Sequence, residues 1–440
     1  MSALLDTAKQ AVSLALKKGA KDAMATATRS RDVEIGWRDG KVEKVSEATT
    51  RGLALSLYVE GRYTFVSTSD LRPDALERFV EEATAMAKTL AKDPARGLAD
   101  PKLYEGRAKD DLQLVDPAYG EYTAEMRRSR AKEAEEGARA VKGSDSIVSV
   151  STSASDSFSQ SAKVTSNGFE GEKEETDFWL GCDVSCKDAD GRRPEASDYA
   201  GSRTWKALPP ASEVGARAAQ RTLETLGAKK IESAVLPVIV ENRVAGRLVR
   251  ALMGSLSGRS LQQKQSFLEG QLGKTIGSKL LTVTDDPLVV RGFGSRLYDG
   301  DGIAAKKMPV FEAGVLKSFY IDVYYGRKLQ MAPTTAGSSN LVFPTGKKSL
   351  AELIKDVKEG MVVTGFLGGN SNSTTGDYSF GIQGFRVRKG QRAEPVAEMN
   401  ISGNQKDLWK KLSALGSDPW LQASVRTPSL VFDGVQVAGL

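Results

Sequence analysis

The sequence predicts an α+β protein made of three consecutive units. Segments with the 3.6-residue apolar repeat of helices alternate, in blocks, with stretches that have the two-residue repeat of strands. A charged stretch with prolines and glycines, "AKDPARGLADPKLYEGRAKDD", separates the first block from the second. The expected units are an N-terminal helix and strand domain (1–110), a middle α+β domain (111–230) and a strand-rich, mainly β C-terminal domain (231–440).

The N-terminal unit is predicted to contain an amphipathic helix with one apolar face, two strands and a second helix. The strands are "DVEIGWRDGKVEKVSEAT" and "RGLALSLYVEGRYTFVSTS", joined near Thr50 to Gly52, and the second helix starts near Pro73. A signal peptide or membrane span is not expected, because the first helix carries charges at Asp6, Lys9, Lys17 and Lys18. We therefore expect a cytoplasmic protein that does not contact a membrane.

The middle unit is predicted to have a helix over 121–141, three strand candidates that end in the two cysteines, and a closing helix within 211–230. Cys182 and Cys186 alternate with polar or small residues, so they lie roughly 13 Å apart along one strand. That separation exceeds the reach of a disulfide. Both cysteines are therefore interpreted as small core residues. The other face of these strands is polar, which favours a sheet face open to water or to a partner.

The C-terminal unit is predicted to begin with a buried strand, "AVLPVIVE", that leads into the segment "NRVAGRLVRALMGSLSG". Glycine-punctuated strands follow to the end of the chain, and a Glu-Ala-Gly turn in "MPVFEAGVLKSFYID" predicts a hairpin. We therefore expect mainly strands in this unit.

The chain contains no histidine, which limits the chemistry open to it. Imidazole is the usual general base near neutral pH and the commonest transition-metal ligand. Ser-His-Asp triads, Cys-His dyads and zinc sites with histidine ligands are therefore excluded for this chain on its own.

The formal net charge of +6 does not by itself predict a nucleic-acid ligand. Basic residues are mixed with acidic ones throughout, as in "EYTAEMRRSRAKEAEEGARAVKG", a pattern typical of solvated helices. A short basic run could contact phosphate, but aromatic residues are not interleaved with it; it comprises Arg386, Arg388, Lys389 and Arg392. Nucleic acid is therefore not an expected ligand.

Two short motifs resemble ligand-binding loops without meeting their spacing. "GQLGKT" has two residues between its glycines, whereas a phosphate-binding loop needs four. "DGDG" opens like a calcium loop but lacks the later acidic ligands. If the chain were an enzyme that works without histidine, through carboxylates or a bound magnesium ion, the candidate residues would be the pairs Asp299/Asp301 and Asp285/Asp286. A tight acidic turn is the simpler interpretation of "DGDG".

The stretch "LGGNSNSTTGDYSFGIQGFRVRKG" is rich in small polar residues around one aspartate. Two residues separate Ser379 from Gly376, whereas a nucleophile elbow has one residue between its first glycine and the serine, and Asp377 alone is a poor base for Ser379. The stretch is therefore not predicted to be an active site in its own right.

Together with "NISGN" downstream, this stretch strongly resembles the C-terminal signature of the TldD/PmbA family, once labelled modulators of DNA gyrase. The likeness extends to "VEIGWRDGKVEKVSEATTRGLALSLYVEGRYTFVSTSDL", to "SNGFEGEKEET" and to "DGDGIAAKKMPVFEAGVLKSFYIDVYYGRKL", so it covers nearly the whole chain. The resemblance implies a cytosolic heterodimeric metallopeptidase in which the TldD-type subunit carries zinc and the PmbA-type subunit, also called TldE, does not.

The zinc site of the TldD-type subunit, by the same resemblance, uses a helix motif of His-Glu, three residues and His, with a cysteine from the C-terminal part. That helix is expected at "NRVAGRLV", with Asn242, Arg243 and Arg247 at the motif positions. Arginine neither ligates zinc nor accepts a proton near neutral pH, and neither cysteine lies in the C-terminal unit. The expectation is that this chain has no catalytic residues and no metal ligands, with zinc in a TldD-like partner.

The leading hypothesis is a non-catalytic subunit that helps a TldD-like partner to enclose a cavity for extended peptides. Five residues are the candidates for lining that cavity: Asn370, Thr375, Gly376, Asp377 and Ser379. One alternative is a homodimeric peptide-binding or scaffold protein without a peptidase partner. The other is a modulator of gyrase or of a toxin-antitoxin system that has no peptidase activity.

Overall fold

A computed structural model describes residues 3–439 and confirms the α+β class. The N-terminal unit consists of two helices that pack on a three-stranded portion of a sheet. Its elements are α1 (Ala3–Lys17), β1 (Asp22–Arg38), β2 (Lys41–Val59), β3 (Arg62–Thr68) and α2 (Pro73–Ala87). The apolar face predicted for the first helix is buried at Leu5, Ala8, Val12 and Ala15.

The prediction of two N-terminal strands joined near Thr50 to Gly52 is wrong. β2 passes through these residues without a break, and the chain reverses at Asp39–Gly40 and again at Glu60–Gly61. Both residues of each pair have positive φ, 45° and 84° at the first turn and 50° and 79° at the second. Two consecutive positive φ values characterise the hairpin turn whose twist matches that of the flanking strands. The Asp-Gly and Glu-Gly pairs therefore determine where the strands end.

The middle unit contains the elements α3 (Ala124–Arg139), β4 (Ile147–Thr165), β5 (Glu170–Cys186), β6 (Glu195–Ser202) and α4 (Ala211–Leu223). The three strand candidates expected up to the cysteines are in fact two long strands, of 19 and 17 residues. They reverse near Gly168, which has a φ of 105°. Polar serines along β4 obscured its length, since they weaken the apolar signal without breaking the two-residue repeat.

One antiparallel sheet joins the first two units. β1 pairs with β4 from Met24 to Arg38, and the strand order is β3-β2-β1-β4-β5-β6. All four helices pack against one face of this six-stranded sheet, where they bury two apolar clusters. The opposite face of β4 is lined by seven serines at alternate positions: Ser149, Ser151, Ser153, Ser155, Ser157, Ser159 and Ser161. The sheet therefore presents a polar face of the kind that the strand pattern predicted.

Both cysteines lie on the helix-facing side of β5 and are free thiols. Their exposed fractions are 0%. Burial raises the pKa of Cys182 to about 12 and also raises the pKa of Cys186. These are the properties of core residues, in agreement with the sequence interpretation.

The C-terminal unit contains a closed strand barrel and a smaller five-stranded sheet. The helices are α5 (Asn242–Met253), α6 (Gly258–Gln262), α7 (Val323–Leu329), α8 (Leu350–Val357) and α9 (Gln405–Leu408). The barrel strands and their extensions are β7 (Ala234–Val240), β12 (Gly360–Phe366), β13 (Asn370–Ser371), β14 (Asp377–Arg388), β15 (Gln391–Asn404), β16 (Leu412–Leu415) and β18 (Leu430–Ala438). In the barrel, β12 pairs with both β7 and β14, which closes the order β12-β7-β18-β15-β14. The smaller sheet comprises β8 (Val283–Asp285), β9 (Met308–Glu312), β10 (Val315–Leu316), β11 (Leu341–Val342) and β17 (Val425–Arg426).

Within residues 3–439, the helices are all too short or too polar to cross a membrane.

Candidate functional site

The segment "NRVAGRLV" forms the start of a helix, as predicted. α5 follows the buried strand β7 directly, and it packs on the barrel through Ala245, Leu248, Val249 and Leu252. Asn242 and Arg243 lie in its first turn, and Arg247 lies one turn further on the same side as Arg243. The fold therefore brings the three motif positions together at the N-terminal end of one helix.

Asn242 is held by the two segments that flank β17. Its side-chain amide donates to the carbonyl of Asp418 (2.6 Å), and its backbone N–H donates to the hydroxyl of Ser429 (3.1 Å). The Ser429 hydroxyl donates in turn to the Asp418 carboxylate (2.7 Å). The first motif position is thus part of a closed hydrogen-bond network within the C-terminal unit.

Arg243 connects α5 to the edge strand β6 of the middle unit. Its guanidinium forms an ion pair with Asp198 and donates to the carbonyl of Ser197 (3.3 Å). It also lies about 5 Å from the ring centres of Tyr199 and Trp420. Only 11% of the Arg243 side chain is exposed, and burial lowers its pKa to about 10. The second motif position therefore links two domains.

Arg247 contacts the loop that begins the glycine-rich stretch. Its guanidinium donates to the carbonyls of Gly368 (3.3 Å) and Gly369 (2.9 Å) and lies 5.3 Å from the ring centre of Phe380. The three motif positions thus each bind a different neighbouring segment.

Zinc does not fit this arrangement. Two of the three side chains are cationic, and the third donates its amide protons to a carbonyl. In the part of the chain that the structure describes, the acidic and cysteine side chains do not gather in groups of three or more that could hold a metal ion. The expectation that zinc is held elsewhere remains a prediction.

A cavity of about 550 Å³ lies next to Arg243, between the polar face of the shared sheet and the C-terminal barrel. The sheet contributes one wall, through Ser149, Ser151, Asp183, Ser185, Ser197 and Tyr199. The barrel and α5 contribute the other, through Arg243, Val244, Thr364, Gly365, Gln383 and Phe385. Its walls are mostly hydroxyls, amides and backbone, which is suited to a ligand with many polar groups.

Charged groups at the rim of this cavity are largely paired. The Arg221 guanidinium donates to Glu241 (3.0 Å to Oε1), which joins α4 to the start of α5. Burial raises the pKa of Glu241, and the positive charge of Arg221 opposes that shift. Burial, followed by the negative charge of Glu195, raises the pKa of Asp183. The cavity is therefore polar but carries no strong excess of one charge.

The five candidate cavity residues lie outside this cavity between sheet and barrel, here called the sheet–barrel cavity. Asn370, Asp377 and Ser379 line a shallower depression of about 470 Å³ on the barrel surface, where β13 pairs with β14. Thr375 and Gly376 form the intervening turn: the Thr375 hydroxyl donates to the Asp377 carboxylate (2.6 Å), and Gly376 has a φ of 88°. The assignment of these five residues to peptide contact stays a prediction.

The environment of Asp377 is that of a turn-stabilising carboxylate. It accepts hydrogen bonds from the Thr375 hydroxyl and the Asn404 amide (2.9 Å), which hold its pKa below the usual range. Ser379 faces solvent on the neighbouring strand position, opposite Asn370. Arg247 links this depression to α5 through the carbonyls just before Asn370.

Sequence reasoning predicted the polar face of the middle-unit strands but missed Asp198. Asp198 is 1% exposed and is shared by Arg217 (2.7 Å) and Arg243. An aspartate in a short edge strand carries no sequence signal of its own. The serines of β4 do, since seven of them alternate with mostly buried residues.

The alternative carboxylate pairs stabilise loops instead of meeting in a cavity. Asp285 is buried and accepts from the Tyr320 hydroxyl (2.8 Å), and Asp299 accepts two backbone N–H groups of its own turn at 2.9 Å. Asp301 accepts the backbone N–H of Val323 (3.0 Å). "DGDG" is thus a tight acidic turn, and its carboxylates already have hydrogen-bond partners.

The basic run is partnered by acidic residues. Arg388 pairs with Glu394 (2.7 Å), Arg386 lies 3.7 Å from Glu359, and Arg392 lies 3.6 Å from Glu224. These ion pairs reduce the positive potential available to a phosphate.

Comparison with known proteins assigns each unit to one family. Family models of the PmbA/TldA metallopeptidase match residues 23–87 (domain 1), 118–226 (central domain) and 233–439 (C-terminal domain). The chain is 30% identical to the metalloprotease PmbA homolog of Haemophilus influenzae, over 98% of this chain and 94% of that protein. The chain belongs to the PmbA/TldD family. The family resemblance seen in the sequence is therefore confirmed.

Solved structures of PmbA/TldD proteins have the same three-domain architecture. A crystal structure from Bacteroides thetaiotaomicron, described as that of a modulator of DNA gyrase, is 39% identical, with a TM-score of 0.96 over 99% of this chain and 98% of that chain. TldE from Thermococcus kodakarensis shares the fold, with a TM-score of 0.86 at 20% identity over 98% of this chain and all of that chain.

Replacing the buried arginine of this PmbA/TldD helix tests its role as a link between domains. We expect Arg243→Met to lower the free energy of unfolding by about 2 kcal/mol, since Asp198 loses a charged hydrogen-bond partner but keeps Arg217. Urea denaturation measures the change. Arg250→Met, an exposed position on the same helix, is the matched control and should change stability by less than about 0.5 kcal/mol. Equal effects of the two variants would contradict the linking role.

Proposed function

We propose that this chain is the PmbA/TldE-type, non-catalytic subunit of a cytoplasmic heterodimeric metallopeptidase that degrades or processes unfolded peptides. A TldD-like paralogue is the proposed partner, and the zinc belongs to that partner. The observation that carries the proposal is which residues occupy the motif positions of α5. The positions that bear the family's His-Glu-His motif hold Asn242, Arg243 and Arg247 here, and each is bound to other protein groups.

The contribution of this chain to the pair is the enclosure and lining of a peptide cavity. The polar sheet face and the barrel form walls rich in hydroxyl and backbone groups, which bind the amides of an extended chain without selecting its side chains. A folded protein exposes few strand-like segments, so such walls favour unfolded substrates. The depression around Asn370, Asp377 and Ser379 is proposed to extend this lining.

Reconstitution with the paralogue tests the proposal. This protein alone, a TldD-like paralogue from the same genome alone, and the mixture are assayed for bound zinc and for cleavage of an unfolded peptide. We expect a stable complex and full cleavage only in the mixture, with zinc that copurifies with the paralogue. Zinc-dependent cleavage by this chain alone would overturn the non-catalytic role. A stable homodimer that does not bind the paralogue would favour the homodimeric scaffold function instead.

Variants of the depression refine the same experiment. Asp377→Ala and Ser379→Ala in this chain are expected to raise the KM of the pair for the peptide about threefold or more, with assembly unchanged. Unchanged cleavage would remove these residues from the proposed lining. Salt-dependent DNA binding by this chain, without cleavage by the mixture, would instead support the gyrase or toxin-antitoxin function.

A further inference from the structure

We propose a second peptide-binding site on this chain, in a groove of about 570 Å³ between the first half of β5 and the segment 110–117, here called the strap. The occupant is an extended peptide segment with a bulky apolar side chain at its centre. The inference rests on the proposed function only for the ligand class, an unfolded chain. The groove and the sheet–barrel cavity have no lining residues in common.

An open strand edge forms the floor of the groove. β5 pairs with β6 only from Phe178 onward, so the edge before Phe178 is not covered by β6. The Thr176 N–H there donates to the carbonyl of Leu114 in the strap (2.9 Å). Because the backbone groups of alternate residues point to the same side of a strand, those of Glu174 point into the groove. In residues 3–439, Glu174 makes no backbone hydrogen bond on that side.

The strap is an example of a chain segment that binds to this strand edge. It is a stretch of this chain without helix or strand structure, and it already bonds to Thr176 as an added strand would. Leu112 of the strap accepts in turn from the backbone N–H of Arg291 across the groove (2.8 Å). The next position along the edge, at Glu174, offers the same backbone geometry to an external chain. An extended peptide is therefore the ligand that matches the floor.

The walls of the groove select an apolar side chain. They are formed largely by hydrophobic side chains from the strap and the loop before Asp299, namely Leu112, Leu114, Val115, Pro117, Leu297 and Tyr298. The volume lies in the range of pockets that bury small ligands, and it holds one or two large side chains. The burial of such a side chain contributes about 1.5–3 kcal/mol. The sheet–barrel cavity has polar walls, so the two sites differ in the side chains that they accept.

Charges at the rim of the groove have both signs. The lining has acidic and basic side chains in similar numbers, so neither acidic nor basic peptides gain a strong advantage; they are Asp110, Asp111, Glu172, Lys173, Glu174, Arg291 and Arg296. Arg296 is engaged by the carbonyl of Ser338 (3.1 Å) and the hydroxyl of Thr335 (3.2 Å). The apolar side chain is therefore the main determinant of affinity.

Binding to the isolated full-length chain tests this site without any peptidase. A fluorescein-labelled peptide Ser-Thr-Ser-Leu-Thr-Ser-Thr and its counterpart with aspartate in place of leucine are titrated by fluorescence anisotropy. We expect the leucine peptide to bind at least about tenfold more tightly. Leu297→Asp should abolish that preference, whereas Leu421→Asp, at an exposed leucine outside the groove, should preserve it. Equal affinities for the two peptides, or an unchanged preference in Leu297→Asp, would overturn the proposal.

Two further measurements keep the test decisive if Leu297→Asp fails to fold. Glu174→Pro removes the N–H that faces the groove without removing a β4–β5 ladder bond, and it should weaken peptide binding about fivefold or more. Amide hydrogen exchange of the unaltered protein should show slower exchange at 172–175 when the leucine peptide saturates it. Unchanged exchange there overturns the site. Cleavage by the reconstituted pair, without slower amide exchange at 172–175 on peptide binding, would contradict this inference alone. Slower exchange at 172–175, without cleavage by the pair, would contradict only the proposed function.

Discussion

Asp156→Ala lowers the free energy of unfolding by about 3–5 kcal/mol, because it leaves the Arg127 guanidinium charged and unpaired inside the middle unit. The two side chains are 3% and 0% exposed and form a two-pronged ion pair, with Arg127 Nη2 2.9 Å from Asp156 Oδ1. Arg127 also donates to the carbonyl of Tyr122 (2.7 Å). Equilibrium denaturation in urea measures the loss, and the slope of the transition should stay constant.

The matched control removes both charges together. Arg127→Met with Asp156→Leu should recover most of the stability that Asp156→Ala loses, since apolar side chains of similar volume require no charge partner. Glu125→Ala, which breaks an exposed pair with Arg128, should cost less than about 1 kcal/mol. A double variant as unstable as Asp156→Ala would show that the pair itself, and not the orphaned charge, decides the stability.

Gly215→Val lowers the free energy of unfolding by about 3 kcal/mol or more, because α3 and α4 touch backbone to backbone at this residue. A Cβ atom at Gly215 would lie 1.7 Å from the carbonyl oxygen of Ala134, and one at Gly137 would lie 2.1 Å from that of Ser212. The two helix backbones would have to separate, because backbone atoms and not flexible side chains occupy the space. Thermal unfolding measures the effect as a large drop in Tm.

Gly254→Ala serves as the control for that substitution. Gly254 ends α5 with a φ of −56°, and a Cβ there would meet nothing within 4 Å. Stability should stay the same or rise by up to about 1 kcal/mol, since alanine restricts the unfolded chain. A Gly215→Val protein as stable as Gly254→Ala would refute the close helix contact.

The sequence predicted those features of the fold that depend on local patterns. The apolar face of α1, the helix at Asn242 and the alternation around Cys182 all follow from periodicity within a few residues. The turn at Asp39–Gly40 carries an equally local signal in its Asp-Gly pair, whereas the polar stretch near Thr50 gives a false signal of a strand end.

The features that could not be predicted arise from contacts between distant segments. The pairing of β1 with β4, the closure of the barrel between β12 and β14, and the contact of Arg243 with Asp198 depend on how whole units pack. The same holds for the site. Asn370, Asp377 and Ser379 are candidates from composition alone, whereas the cavity beside Arg243 exists only because the serine face of β4 is set against the barrel. Single-residue patterns carry no information on that juxtaposition.

The pairing of β1 with β4 also constrains how the chain folds during synthesis. Ile35 pairs with Ala154, so one long edge of β1 stays without a partner strand until roughly 120 more residues have been synthesised. At about 5–20 residues per second, the ribosome needs several seconds or more to supply that partner. During this interval the nascent hairpin exposes an edge that other chains can join. Early binding by a chaperone should therefore raise the yield of this protein more than the yield of a protein whose strands pair only with their neighbours in the sequence.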